Sequence, residues 1–205
     1  MRRRTTAVIS TLALPAVAVS AYVQAPITFQ VASATGECAV SWQAPGVTFQ
    51  AQIPARNTAG PGMAFTGGSG QLNVNADVLP SDPAALAKVI TMDVGATGGF
   101  TLQDRRGGKV EVSDLDAVLP LGDATFTVRS TAHPDRTRIP VVTDTSSTLD
   151  PKLTRIVPPQ LAVHLTGLRA VITPEFAQVL NETFGPGTAK SGDAFGVCNG
   201  DVTTA

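Results

Sequence analysis

Val47-Thr48-Phe49-Gln50-Ala51-Gln52-Ile53 alternates apolar and polar residues without a break. Side chains on a strand point to opposite faces in turn, so the stretch reads as a half-buried β-strand with one wet face. Downstream, Leu72, Val74, Ala76 and Val78 alternate with Gln71, Asn73, Asn75 and Asp77 in the same way. One-sided burial of this kind belongs to antiparallel sheets. Weaker runs follow at 89–94, 100–103, 109–112, 125–129, 139–143 and 161–172. Gly60-Pro61-Gly62, Gly67-Gly68-Ser69-Gly70 and Gly107-Gly108 are read as the turns between them, and Arg105-Arg106-Gly107-Gly108 is the clearest hairpin. The expected fold is mainly β: an antiparallel β-sandwich.

In the last long run the parity slips. Leu161, Val163 and Leu165 share one face, and Leu168, Ala170 and Ile172 continue on the other parity. A bulge at Thr166-Gly167 keeps both sets on the core. A helix follows from Pro174 to Phe184. Thr173 is its cap, Pro174 suits the first helical position, and Glu175 suits the positive N-terminus. Phe176, Leu180 and Phe184, with Ala177 beside them, make one apolar stripe. Gly185 and Pro186 stop the helix. A second, short helix is expected over 82–88, after Pro80-Ser81.

The 205 residues are 43% hydrophobic and only 15% charged, so a packed core is within reach and a disordered chain is excluded. Arg2, Arg3 and Arg4 precede an uncharged apolar run from Thr5 to Val23, which is the pattern of a secretory leader. Cleavage is expected after Ala34, at Ala32-Ser33-Ala34, with Ala18-Val19-Ser20 as the alternative site. Residues 1–34 are thus assigned to the leader and 35–205 to a single secreted domain. A retained membrane anchor is the competing reading, but Pro15 and many Ala and Thr make the run weakly hydrophobic for a permanent span. Three of the 15 basic residues and none of the 16 acids precede Glu37, which leaves a net charge of −4 on the remainder. A mildly acidic chain lacks the electrostatic footprint of a nucleic-acid or anionic-lipid binder. Cys38 and Cys198, near the two ends of an exported chain, are expected to form one disulfide.

Chemistry-bearing groups are sparse. His133 precedes Pro134-Asp135 in a loop, and His164 has the opposite parity to Leu161, Val163 and Leu165, so it faces outward. Neither has a second His, a Cys or a Glu at metal-ligand spacing. Asp114 and Asp116 stand at i and i+2, where a regular strand places both on one face, and so form the one candidate carboxylate pair for acid–base work. Gly68-Ser69-Gly70 lacks the spacing and the strand-to-helix setting of a nucleophile elbow. Asn181-Glu182-Thr183 matches a glycosylation sequon but falls within the expected helix.

Gly98-Gly99-Phe100-Thr101-Leu102, Arg138-Ile139-Pro140-Val141, and Leu165-Thr166-Gly167-Leu168 running through Thr173 into Phe176-Ala177-Gln178-Val179-Leu180-Asn181 form a recognisable series. Lys190-Ser191-Gly192 and Phe195-Gly196 close it. Over about residues 98–203 the chain resembles the HtaA-type domain, a secreted or surface β-rich module of actinobacterial-type envelopes. Parts of that family bind haem, using Tyr with His support. Here the one Tyr is Tyr22, inside the expected leader, and Ala96-Thr97 stands where a His often precedes the Gly-Gly pair. The resemblance therefore implies fold and location without an axial ligand. The expected function is an exported, non-catalytic binding or envelope-associated module, with no cofactor, no metal and no nucleic-acid partner. Its partner would be an envelope component or a small ligand. The alternatives are haem uptake through a substitute ligand, His164 or Met92, and a secreted hydrolase using Asp114 and Asp116.

Overall fold

In a computed structural model, which describes residues 27–74 and 90–205, the alternating stretches become ten strands and one helix. The strands are β1 (Ile27–Val40), β2 (Val47–Ala51), β3 (Gly62–Val74), β4 (Thr91–Asp104), β5 (Lys109–Leu119), β6 (Asp123–Ser130), β7 (Thr137–Asp144), β8 (Thr148–Ile156), β9 (Pro159–Ile172) and β10 (Ala194–Thr204). The helix α1 (Pro174–Phe184) lies between β9 and β10. All strand pairs are antiparallel, in the order β10-β1-β3-β4-β5-β6-β7-β9-β8, with β2 paired to β4. A further β9–β10 pairing joins β10 back to β9, so the layers of the sandwich are continuous, with β8 at the edge beyond β9.

Side chains from strands that are not neighbours meet in the middle. Phe65 on β3 contacts Phe126 on β6 with ring centres 6.1 Å apart, and Phe100 on β4 contacts Phe195 on β10 at 5.3 Å. The interior holds two clusters. One joins Phe100, Phe126 and Phe195 to the helix residues Phe176, Leu180 and Phe184. The other joins Phe29, Leu72, Met92, Leu161 and Val163. The helix has the expected bounds. Thr173 Oγ1 accepts from Phe176 N at 3.2 Å, Gly185 N donates to Asn181 O at 3.0 Å, and the apolar stripe covers the first cluster. The bulge in β9 is also present. Residues 166 and 167 both lie opposite Asn199, whose Oδ1 accepts from Gly167 N at 2.9 Å. The hairpin at Arg105–Gly108 joins β4 to β5.

Three expectations about the strands need correction. Gly67-Gly68-Ser69-Gly70 is not a turn but the middle of β3. Its glycines serve close approach: a Cβ on Gly67 would stand 2.4 Å from Gly95 O, and one on Gly70 2.0 Å from Asp93 O. The runs at 89–94 and 100–103 belong to the single strand β4, which is kinked where Ala96–Gly99 shifts the register against β5. β2 ends at Ala51 rather than Ile53: Gln52 N makes a last bond to Gly99 O on β4 at 2.9 Å, and Ile53 O then accepts from Ala64 N on β3 at 2.7 Å. The expected cut after Ala34 falls inside β1, whose Phe29, Val31 and Ala34 are buried and whose residues 27–30 pair with 71–74 of β3. The alternative cut after Ser20 leaves the strand whole. Residues 75–78 and the expected helix over 82–88 lie outside the described residues, as does Tyr22.

Candidate functional site

Between the two core clusters the sandwich holds a partly open cavity of about 110 Å³. Its origin is in the sequence. The inward positions of β1 and β10 carry Ala34, Gly36 and Gly200, and the two glycines let these strands approach closely, since a Cβ on Gly200 would stand 2.7 Å from Thr35 O. Ala96 on β4, Ala117 on β5, Ala124 on β6 and Ala170 on β9 line the same space. Met63, Met92, Phe65 and Phe126 complete the apolar wall.

The charged residues among the described lining are Glu37, Asp144 and Asp201, with no Lys, Arg or His. Asp144 is only 5% exposed, but its carboxylate is well served. It accepts from the backbone N–H groups of Leu121, Ser146 and Ser147, each at 3.0 Å, and from the Ser147 hydroxyl. It fixes the link between β7 and β8 and ties it to the β5–β6 turn. Glu37 accepts from Arg56 N at 3.1 Å and Asn57 N at 3.2 Å. The Arg56 N–H holds its carboxyl below the usual range, against the opposing effect of desolvation, with Asn57 helping.

The outer face of β8, β9 and β10 carries the other candidate. His164 is exposed, and the register sets it directly between Asp150 on β8 and Asp201 on β10. Its Nδ1 lies 2.6 Å from Asp201 Oδ1. Met92, by contrast, is 1% exposed and lines the cavity. His164 and Met92 are therefore on opposite sides of the sheet and serve no common site. The cavity at Met92 does not fit haem. It is well below the ~300–1,000 Å³ of an ordinary ligand pocket, and its described lining holds no cation to receive carboxylates.

Asp114 and Asp116 are not assembled as a pair. The register slips between Ser113 and Asp116, and Asp114 takes the left-handed conformation at φ 55°. Asp114 Oδ2 accepts from the Ser113 hydroxyl at 2.9 Å, while Asp116 is ion-paired with Arg138. His133, in its loop, is bonded to Glu182 of α1. Asn181 is engaged through both side-chain atoms, donating to Ala189 O at 2.9 Å and accepting from Ala189 N at 3.1 Å. Cys38 and Cys198 stand opposite one another on β1 and β10 and are disulfide-bonded, with Cα atoms 4.0 Å apart. Both also line the cavity. Among the described residues no three His, Cys, Asp or Glu side chains are grouped to hold a metal ion, and no helix is long and apolar enough to cross a membrane.

Sequence reading missed the cavity and Asp144. Small residues at inward positions betray the cavity only once the register is known, since Ala and Gly carry little periodic signal. Asp144-Thr145-Ser146-Ser147 did carry a local one, the side-chain-to-backbone turn that Asp favours.

No protein-family model matches the chain, and no curated protein matches it. Among solved structures it is similar to the C-terminal domain of HtaA from Corynebacterium glutamicum, with a TM-score of 0.52 and 12% identity. The likeness covers 86% of this chain and 99% of that one. It extends the resemblance from the C-terminal half to nearly the whole sandwich, as a likeness of fold.

Proposed function

We propose that the chain is an exported, non-enzymatic binding module of the cell envelope, and that haem is not its ligand. The observation that carries this reading is the HtaA-like sandwich closed by the Cys38–Cys198 bond. Disulfides persist in extracytoplasmic compartments and are rare in the cytosol. The basic and apolar N-terminal segment supports export, and the course of β1 favours processing after Ser20 over processing after Ala34. The separate engagements of Asp114 and Asp116 support a binding role over hydrolysis.

Haem iron needs an axial donor from His, Cys, Met or Tyr. Cys38 and Cys198 are oxidised, Met92 is enclosed, and His164 is held by Asp201 on an open sheet face. Spectral titration of the purified protein with haemin tests the reading, alongside His164→Ala. The expected result is a weak, featureless adsorption that the substitution leaves unchanged. A sharp Soret shift that saturates at one haem per chain and disappears in His164→Ala would establish haem binding through His164 instead.

A further inference from the structure

We infer that the cavity between the two core clusters is a binding site for a small, neutral, apolar molecule, of the size of one six-membered ring or a short alkyl chain. This deepens the binding-module reading by naming a ligand class, and it rests on that reading only for its biological setting. The size comes first. The cavity measures about 110 Å³. An apolar cavity of ~150 Å³ stays dry and takes up benzene or xenon. A single ring or a chain of a few carbons matches this space, and a macrocycle or sterol does not.

The lining sets the polarity. Met63, Met92, Phe65 and Phe126 surround the space, and methionine adapts its shape to irregular apolar guests. The described lining holds no Lys, Arg or His, and Asp144 is its one buried acid: Glu37 and Asp201 stand at outward positions of β1 and β10, with Asp201 paired to His164 on the outer face. Asp144 and Glu37 already accept hydrogen bonds from the backbone and, for Asp144, from the Ser147 hydroxyl. A carboxylate ligand would meet Asp144 and no cation among these residues, whereas a neutral hydrocarbon needs none. The distribution of small residues distinguishes a built space from a local packing fault. A fault follows from one undersized side chain. Here β1, β10, β4, β5 and β6 each contribute an Ala or Gly to one cavity.

The methionines report on the site directly. Met63 and Met92 line it, and the third methionine, Met1, belongs to the N-terminal segment. The purified protein, carrying ¹³C-methyl methionine, is titrated with benzene and separately with hexanoate. Benzene is expected to move the Met63 and Met92 methyl resonances along saturable curves, and hexanoate to leave them in place. Ala117→Leu fills the cavity and should weaken the benzene response at least ten-fold, with Ala124→Val as the second filled variant should the first not fold. Unmoved resonances up to the solubility limit of benzene would overturn the inference and mark the space as a void. An equal response in a filled variant would overturn it too, and a hexanoate response equal to benzene would refute the neutral class. Each of these failures leaves the haemin titration untouched, so the cavity and the surface module are judged separately.

Discussion

At the residue scale, glycine decides whether β3 can exist. Gly70 has φ 126°, and a Cβ there would stand 2.0 Å from the carbonyl oxygen of Asp93 on β4. The neighbouring atom is backbone, so it cannot swing aside. Gly70→Ala is therefore expected to destabilise the protein by more than about 1 kcal/mol, the reverse of the gain a compatible Gly→Ala change gives. Chemical denaturation measures it, and an unchanged midpoint would show that the β3–β4 contact relaxes without loss. The same residue shows where sequence reading stops. Four polar or small residues in a row look alike in a turn and in a strand pressed against its neighbour. The distinction lies in the partner strand, which is not local. His164 was legible, because its outward parity follows from Leu161 and Val163 alone. Its pairing with Asp201, 37 residues away, was not.

At the scale of elements, α1 was legible in full because cap, stripe and stop are all local. Leu180 is fully buried. Leu180→Ala is expected to cost about 2–5 kcal/mol, read from thermal or denaturant unfolding, and a change within about 0.5 kcal/mol would mean the stripe is not core. The β4–β5 turn is a second local device. Asp104 accepts from Gly108 N at 2.7 Å and Arg106 N at 2.9 Å, and Arg106 donates onward to Phe184 O at 2.6 Å at the C-terminal end of α1. Desolvation pushes the Asp104 carboxyl up, but these donors and the Arg106 guanidinium outweigh it and hold it below its usual range. A depressed carboxyl stabilises the fold above its unfolded pKa and loses that contribution as pH falls through the folded value. Stability should therefore drop on acidification below the ordinary carboxylate range, and Asp104→Asn should shallow that drop. Parallel acid limbs in the two proteins would remove Asp104 from the account. Strands β8 and β10 were less legible than α1. β8 carries Pro151 and pairs only with β9, an edge position where proline is tolerated but the apolar alternation is weak.

At the scale of the whole molecule, closure joins the first described strand to the last. β10 pairs with both β1 and β9, and the Cys38–Cys198 bond crosses the β1–β10 seam. Sequence placed the two cysteines near the ends of a chain read as exported and so anticipated the bond. It placed the leader boundary within β1, because a small-residue triplet suits both a cleavage site and the tightly packed seam beside Gly36 and Gly200. Phe29 and Val31 are buried in the second core cluster. Export, an intact β1 and a closed seam together make the central claim, and one measurement reaches all three: the intact mass, without reduction, of the protein recovered from outside the cytoplasm. The account predicts a chain that begins at Ala21 and lacks two hydrogens relative to the free dithiol. A chain beginning at Thr35, or one carrying two free thiols, would contradict it.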